Sequence, residues 1–275
     1  HDARTEEQRY FMWYHWMAGG WGGRSTKDGS SATAPVFGTG LAVQSVEGQE
    51  RLNPVLTTGH EIKADSGGPG KFRGGCGVEK GGTLTDALKV VMSYCCDRGR
   101  SVTWGIEGGL PSVPHGVWLN KGSEEERYLG ATFSDVKIRP GDTFTRPSAG
   151  GGGYGDALER DPEAVLEDVI DGYVSIRRAG RDYGVVIHEI AAERDESESG
   201  GPAPAPRREE FRAARAEWLN ADPEEVARGY REGELDVYDV VRRHGVILEW
   251  GSGELLPKTT EQYRETMQRR SASAW

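Results

Sequence analysis

The chain has 275 residues, 36% of them hydrophobic, which at about 150 residues per domain describes one large domain or a domain with an appendage and excludes a repeat array or a mini-protein. Thirty-four Lys and Arg against 44 Asp and Glu leave a formal charge of −10, which repels phosphate backbones and argues against a nucleic-acid partner. The mean hydropathy is −0.64 and no run approaches the ~18 apolar residues of a membrane span, so a soluble chain with no membrane role is expected.

The chain opens at His1 with no initiator Met and no signal pattern, which predicts a start inside a longer protein or after processing. Residues 10 to 21 concentrate aromatics (Tyr10, Phe11, Trp13, Tyr14, Trp16, Trp21), a composition that predicts core. The 40 glycines are twice the ordinary share of about 7% and follow no Gly-X-Y period. They form islands at 19–23, 67–77, 105–109 and 150–155, which predict tight turns and close backbone approach. Between islands, to about residue 148, alternation and β-branching predict strands at Leu41–Glu47, Val55–Ile62, Leu88–Cys95, Val117–Asn120 and Thr132–Ile138. At Asp161-Pro162-Glu163 the period becomes helical, with an N-cap Asp, Pro at the first position and Val165, Leu166, Val169 and Ile170 on one stripe before Gly172. A second short helix is predicted from Ser175 and a strand over Tyr183–Ile190.

Residues 191–206 lack apolar period and read as a linker or exposed loop. Beyond them Phe211, Ala214, Trp218 and Leu219 share a helical face, Asp222-Pro223-Glu224-Glu225 repeats the helix start, Gly245–Trp250 is strand-like, and Thr260 to Met267 is amphipathic. The expected class is α+β: a glycine-rich, β-dominated domain over 1–190 with helices toward its end, then a helical C-terminal appendage over 207–275.

Several strings imitate active sites. Asp65-Ser66-Gly67-Gly68-Pro69 matches the surroundings of a trypsin-like nucleophile, but His60 lies only six residues upstream and no third member appears, whereas a triad is defined by geometry. Gly150–Gly155 fits G-x-G-x-x-G, with Glu189 ending a later strand, but the helix that should open on that loop starts at Asp161. There is no GK[ST], and His188-Glu189 lacks the second His of a zincin. Scattered histidines and the absence of C-x-x-C argue against a closed zinc site. Cys76, Cys95 and Cys96 cannot build a disulfide framework, so a reducing cytoplasm is the simplest home; Cys95 and Cys96 would face opposite sides of a strand as buried thiols. What remains is a polar set on the glycine turns: Arg24, Asp28, Asp65, Ser66, Lys71 and Arg73, placed to fix an anion or a polar substrate edge where backbone amides are bare. The competing reading is a structural ion pair that holds the turns.

Four segments, in order, resemble the hydantoinase B/oxoprolinase family: GGWGGR (Gly19–Arg24) with Asp28-Gly29 after it, DSGGPGKFRGGCGVE (Asp65–Glu79), GGGGYGDALERDPEAVLEDVIDGYVS (Gly150–Ser175) and YGVVI (Tyr183–Ile187). The resemblance covers about residues 10–190 and matches the C-terminal half of the family's B-type subunit. It implies a heteromeric enzyme in which an actin/sugar-kinase-like ATPase A subunit, using ATP and Mg2+, phosphorylates the oxygen of an amide or enolised ketone, and the B part houses the later chemistry on a small carbonyl substrate. Phosphorylation turns a poor leaving group into a good one, and the B part must keep the intermediate from water. A second partner would be the chain carrying the N-terminal half of B. The family's metal ligands are implied to lie mainly in that half, so a divalent metal, Zn or Mn, is expected there and none on this chain. One branch carboxylates ketones with bicarbonate as co-substrate; the other hydrolyses cyclic amides such as hydantoins, 5-oxoproline or lactams. PVFGTGLAVQSVEGQERLNPV and GVILEWGSGELLPKTTEQYR resemble the ketone carboxylase branch more closely. A non-catalytic scaffold subunit is the reading from another class.

Overall fold

The computed structural model describes residues 1–14, 16–34, 43–187, 217–249 and 251–273. Helices begin where short polar side chains can take up the first free amides. Ser45 Oγ accepts the Gly48 N–H at the start of α1 (Val46–Leu52). Asp161 and a first-turn proline open α2 (Pro162–Ile170), and Ser175 caps α3 (Ile176–Tyr183). Asp222 caps α4 (Pro223–Arg231), Asp236 caps α5 (Val237–Arg242), and α6 spans Pro257–Ser273.

The α+β expectation holds, with strands first and helices after. A five-stranded antiparallel sheet has the order β1 (Val55–Ile62), β2 (Val78–Leu84), β7 (Thr143–Pro147), β4 (Val117–Leu119), β5 (Arg127–Gly130). A two-stranded pair, β3 (Val90–Cys95) with β6 (Thr132–Ile138), supplies the facing layer. Val55, Leu84, Leu119 and Phe144 of the sheet enclose a core with Ile138, Val90, Met92 and Val136. Phe11 and Trp13 also pack there, while Tyr10, Met12, Tyr14 and Trp16 are exposed. The aromatic segment is therefore an alternating cover with one apolar side inward, and the expectation that all of it is core is corrected.

Two predicted strands are also corrected. Over Leu41–Glu47, residues 41 and 42 lie outside the described residues, and Ser45 starts a helix with Glu47 in its first turn, where an acid suits the helix dipole. Tyr183 ends α3 because Gly184 adopts φ 69° as its C-cap, a left-handed conformation that stops a helix. Residues 188–190, the predicted linker, and Phe211 and Ala214 lie outside the described residues. In Gly245–Trp250 only Leu248–Glu249 is strand, β8, paired with β9 (Glu254–Leu255); Trp250 is not described. The C-terminal helices pack on the main body through Leu219, Val237, Val241, Ile247 and Tyr263 against Val102, Trp104 and Leu110.

The glycine islands converge on one structure. Gly151–Tyr154 runs through the middle of a bundle of extended segments that belong to no sheet. Its amides and carbonyls bond Gly23, Gly68, Gly75, Phe72, Ile106 and Leu110 over 2.7–3.0 Å. A strand in a flat sheet has two neighbours, whereas this segment has four, at residues 23, 68, 72–75 and 106–110. Only missing side chains permit that spacing. A Cβ on Gly151 would lie 2.0 Å from the Trp21 carbonyl oxygen, one on Gly74 2.1 Å from that of Gly151, and one on Gly153 2.0 Å from that of Pro69. The chain therefore enters the 3₁₀ turn Ala157–Glu159 before α2, and Gly150–Gly155 opens no helix.

Gly151→Ala and Gly74→Ala are each expected to destabilise the chain by more than about 4 kcal/mol or to prevent folding, because backbone must move. Gly59→Ala, where a Cβ meets nothing within 4 Å, is expected to change stability by less than about 1 kcal/mol. Urea unfolding of the three variants checks both outcomes.

Candidate functional site

The structure gathers four of the six predicted site residues around the bundle and leaves two at its rim. Asp28 accepts the Arg73 backbone N–H at 2.6 Å and both terminal nitrogens of Arg160 at 2.7 Å. Asp168, on α2, pairs with Arg73 at 3.1 Å and with Arg160 at 2.8 Å. Two cations and two anions thus close on each other, with the Arg73 guanidinium 4.6 Å from the centre of the Tyr173 ring. Asp65, at φ 61°, accepts the Ser175 N–H and ties the bundle to α3. Ser66 Oγ donates to the Lys63 carbonyl and accepts the Gly77 N–H. These contacts fix glycine turns and present no nucleophile beside a base. Arg24 is exposed, and Lys71 is half-exposed beside Glu159 at 3.8 Å. A second cluster, Arg178 and Arg242 with Asp182, Asp236 and Asp239, joins α3 to α5. From it Arg242 reaches the carbonyls of Asp65 and Gly67.

Of the cysteines, Cys76 is buried but Cys95 is exposed and Cys96 half-buried, so the expectation of buried thiols at 95 and 96 is corrected. Burial raises the Cys96 thiol pKa above its ordinary value, which disfavours a reactive thiolate. His115 is neutral: burial lowers it to about 4, and its Nε2 lies 2.9 Å from the Asp97 carbonyl.

Sequence reasoning missed a large hollow. A cavity of about 1060 Å³ lies between the Tyr10–Trp21 segment, β3 with the turn after it, and β7 with the chain that leads into the central glycines. Phe11, Trp13, Met92, Tyr94 and Phe144 supply apolar walls, and Gly19, Gly20 and Ser148–Gly150 bring the bundle to its edge. On the sheet beside it three basic residues stand abreast. Lys80 of β2 is paired with His60 of β1 and with Arg146 of β7, and residues directly opposite project from the same face. Lys80 and Arg146 are 2% and 6% exposed. The Arg146 guanidinium sits 4.6 Å from the Trp13 ring centre and the Lys80 ammonium 5.8 Å from it. Burial first and Arg146 second bring the Lys80 pKa down to about 8. Burial, then Lys80 and Arg146, lower His60 as well. A legible signal existed: basic residues at inward positions of VEKGGTL and TFTRP break strand alternation, but only the register brings them together.

Two measurements follow from these charges. Burial alone would raise the Asp28 pKa, but the Arg160 fork outweighs it and Arg73 adds to it, holding this carboxyl below its usual range. Its stabilisation is complete above the unfolded value near 3.9 and is lost as pH falls through the lower folded value. Asp28→Asn is expected to flatten this acid limb and to cost about 1–3 kcal/mol at neutral pH, since a third of the side chain is exposed. Lys80 gives a slope of the same sign in an alkaline window. Between about pH 8 and its unfolded value near 10.4 the unfolded chain holds the extra proton, so stability rises with pH in that window and levels above it. Lys80→Met is expected to remove that rise, read as the difference in urea midpoints between the two proteins.

Among the described residues no helix is long and apolar enough to cross a membrane. Nor do three His, Cys, Asp or Glu side chains among them gather to hold a metal. Comparison with known proteins places these features. The chain is 29% identical over 248 residues to the acetone carboxylase alpha subunit of Xanthobacter autotrophicus, covering 76% of this chain and 32% of that protein. A nucleotide-free acetone carboxylase structure superposes with a TM-score of 0.60 at 25% identity, over 91% of this chain and 36% of the other. The ATP-dependent caprolactamase of Pseudomonas jessenii superposes with a TM-score of 0.53 at 31% identity, over 66% of this chain and 31% of the other. The chain thus spans about a third of the length of the proteins it matches. The hydantoinase B/oxoprolinase family profile matches residues 1–157, more than half of the chain, and the chain belongs to that family.

Proposed function

We propose that this chain forms part of the B-type component of a heteromeric ATP-dependent enzyme that carboxylates a ketone. One observation carries the choice of branch: the likeness to acetone carboxylase extends over 91% of the chain, against 66% for caprolactamase. In this reading an ATPase subunit moves the γ-phosphoryl group of ATP onto the oxygen of the enolised ketone, releasing ADP. The enol carbon then bonds CO2 derived from bicarbonate, and the phosphate leaves to water, giving a 3-oxo acid. The task of the cavity beside the glycine bundle is to keep such an intermediate from bulk water; its aromatic walls suit that. Asp28, Asp65, Ser66 and Arg73 serve the site from behind, by holding the bundle, while Arg24 and Lys71 keep charges that can reach a substrate or a partner chain. ATP with Mg2+ and any divalent metal belong, in this reading, to the rest of the assembly.

The higher identity to caprolactamase, 31% against 25%, favours a second reading, ATP-dependent opening of a cyclic amide with water as acceptor. The two part in one assay on the assembled enzyme. For the carboxylase, ATP hydrolysis is expected to depend on an enolisable ketone, and labelled bicarbonate to enter a 3-oxo acid. Opening of a lactam or hydantoin without bicarbonate would replace this reading with the second. A scaffold role would instead appear as variants of the cavity wall that leave turnover unchanged and alter assembly alone.

A further inference from the structure

We infer that Arg146 anchors a carboxylate-binding site, in which one edge of its guanidinium takes both oxygens of a small organic acid whose apolar body lies along Trp13 and Phe144 in the cavity. The other deeply buried arginines, Arg73, Arg160, Arg178 and Arg242, each have an aspartate within 3.5 Å. Arg146 is 6% exposed and lines the cavity, yet its Nε and Nη2 are buried without a hydrogen-bond partner. Ring faces are what it touches: Trp13 at 4.6 Å and Phe144 at 6.0 Å from the guanidinium carbon. A buried charge without a counter-charge is costly, and two aromatic faces offset only part of that cost. Lys80, directly across the ladder, adds a like charge.

The identity of the unpaired nitrogens selects the ligand. Nε–H and the neighbouring Nη2–H lie side by side on one edge of the planar group, at the spacing of two carboxylate oxygens, the bidentate arrangement that makes such pairs strong and directional. Phosphate would also meet that edge, with Lys80 across the ladder as one further donor, but the groups against the guanidinium itself are the ring faces of Trp13 and Phe144, which offer no donor to its remaining oxygens. An acid with an apolar body fits both halves of the site. The inference rests on this geometry and holds for either reaction above.

Equilibrium titration of the full chain at low ionic strength with benzoate, benzamide and inorganic phosphate tests it, and because it reads binding its failure would leave the functional reading untouched. Benzoate is expected to bind at least roughly tenfold more tightly than benzamide or phosphate, and Arg146→Met to lose about that factor. Arg146→Lys, which keeps the charge without the fork, is expected to recover only part of it. Benzoate is also expected to raise the melting temperature of the wild-type chain and leave that of Arg146→Met unmoved. Equal affinity for benzoate and benzamide, a preference for phosphate, or full benzoate affinity in Arg146→Lys would each overturn the site.

Discussion

Everything in this chain is arranged around a place where backbones touch with no side chains between them. Gly151–Tyr154 is surrounded by four other segments, and a methyl group on Gly151, Gly74 or Gly153 would stand about 2 Å from a carbonyl oxygen. The cohesion of such a bundle is hydrogen bonding between bare peptides, since it holds almost no apolar surface to bury. Glycine also loses the most chain entropy on ordering. The bundle therefore depends on support from outside, and the rest of the fold supplies it.

That support is largely ionic. Asp28, Arg73, Arg160 and Asp168 close a ring of opposite charges across segments separated by up to 140 residues in sequence. Arg242 extends a second ring into the carbonyls of Asp65 and Gly67. Buried pairs are weak evidence of net stability, but removing one member leaves the other exposed to the full desolvation cost. Such an arrangement favours one geometry over its alternatives, as a bundle with no side chains to set its register needs. Ordinary apolar packing, in the sheet layer and under α2 and α3, lies to either side.

The cavity differs in kind. It lies where the glycine bundle, the sheet and the aromatic N-terminal cover meet, and Arg146 lines it, with Lys80 and His60 following on the neighbouring strands. Among the described residues every other buried arginine is matched with an acid; here a guanidinium edge is left open in aromatic surroundings. A site that departs from the rule obeyed by the rest of the molecule is where ligand chemistry is sought.

The α+β class, the helix starts at Asp161, Ser175 and Asp222, and the strand Val55–Ile62 were determined locally, because caps, prolines and β-branched runs act within a few residues of themselves. The glycine islands already pointed to tight turns and close backbone approach, and the motif order already resembled the family that the comparison assigns. Local pattern failed at Leu41–Glu47 and Tyr183, where a serine cap and a left-handed glycine outweighed alternation. It also failed at β2, where two glycines and a lysine hid a central strand. Which charges close on which was decided only by the tertiary structure: Asp28 meets Arg160 across 132 residues, and nothing in either neighbourhood encodes that meeting. The cation row has the same origin. His60, Lys80 and Arg146 are unremarkable along the chain and become one feature when antiparallel register sets them abreast, because a strand determines which face a side chain takes while pairing determines its neighbour.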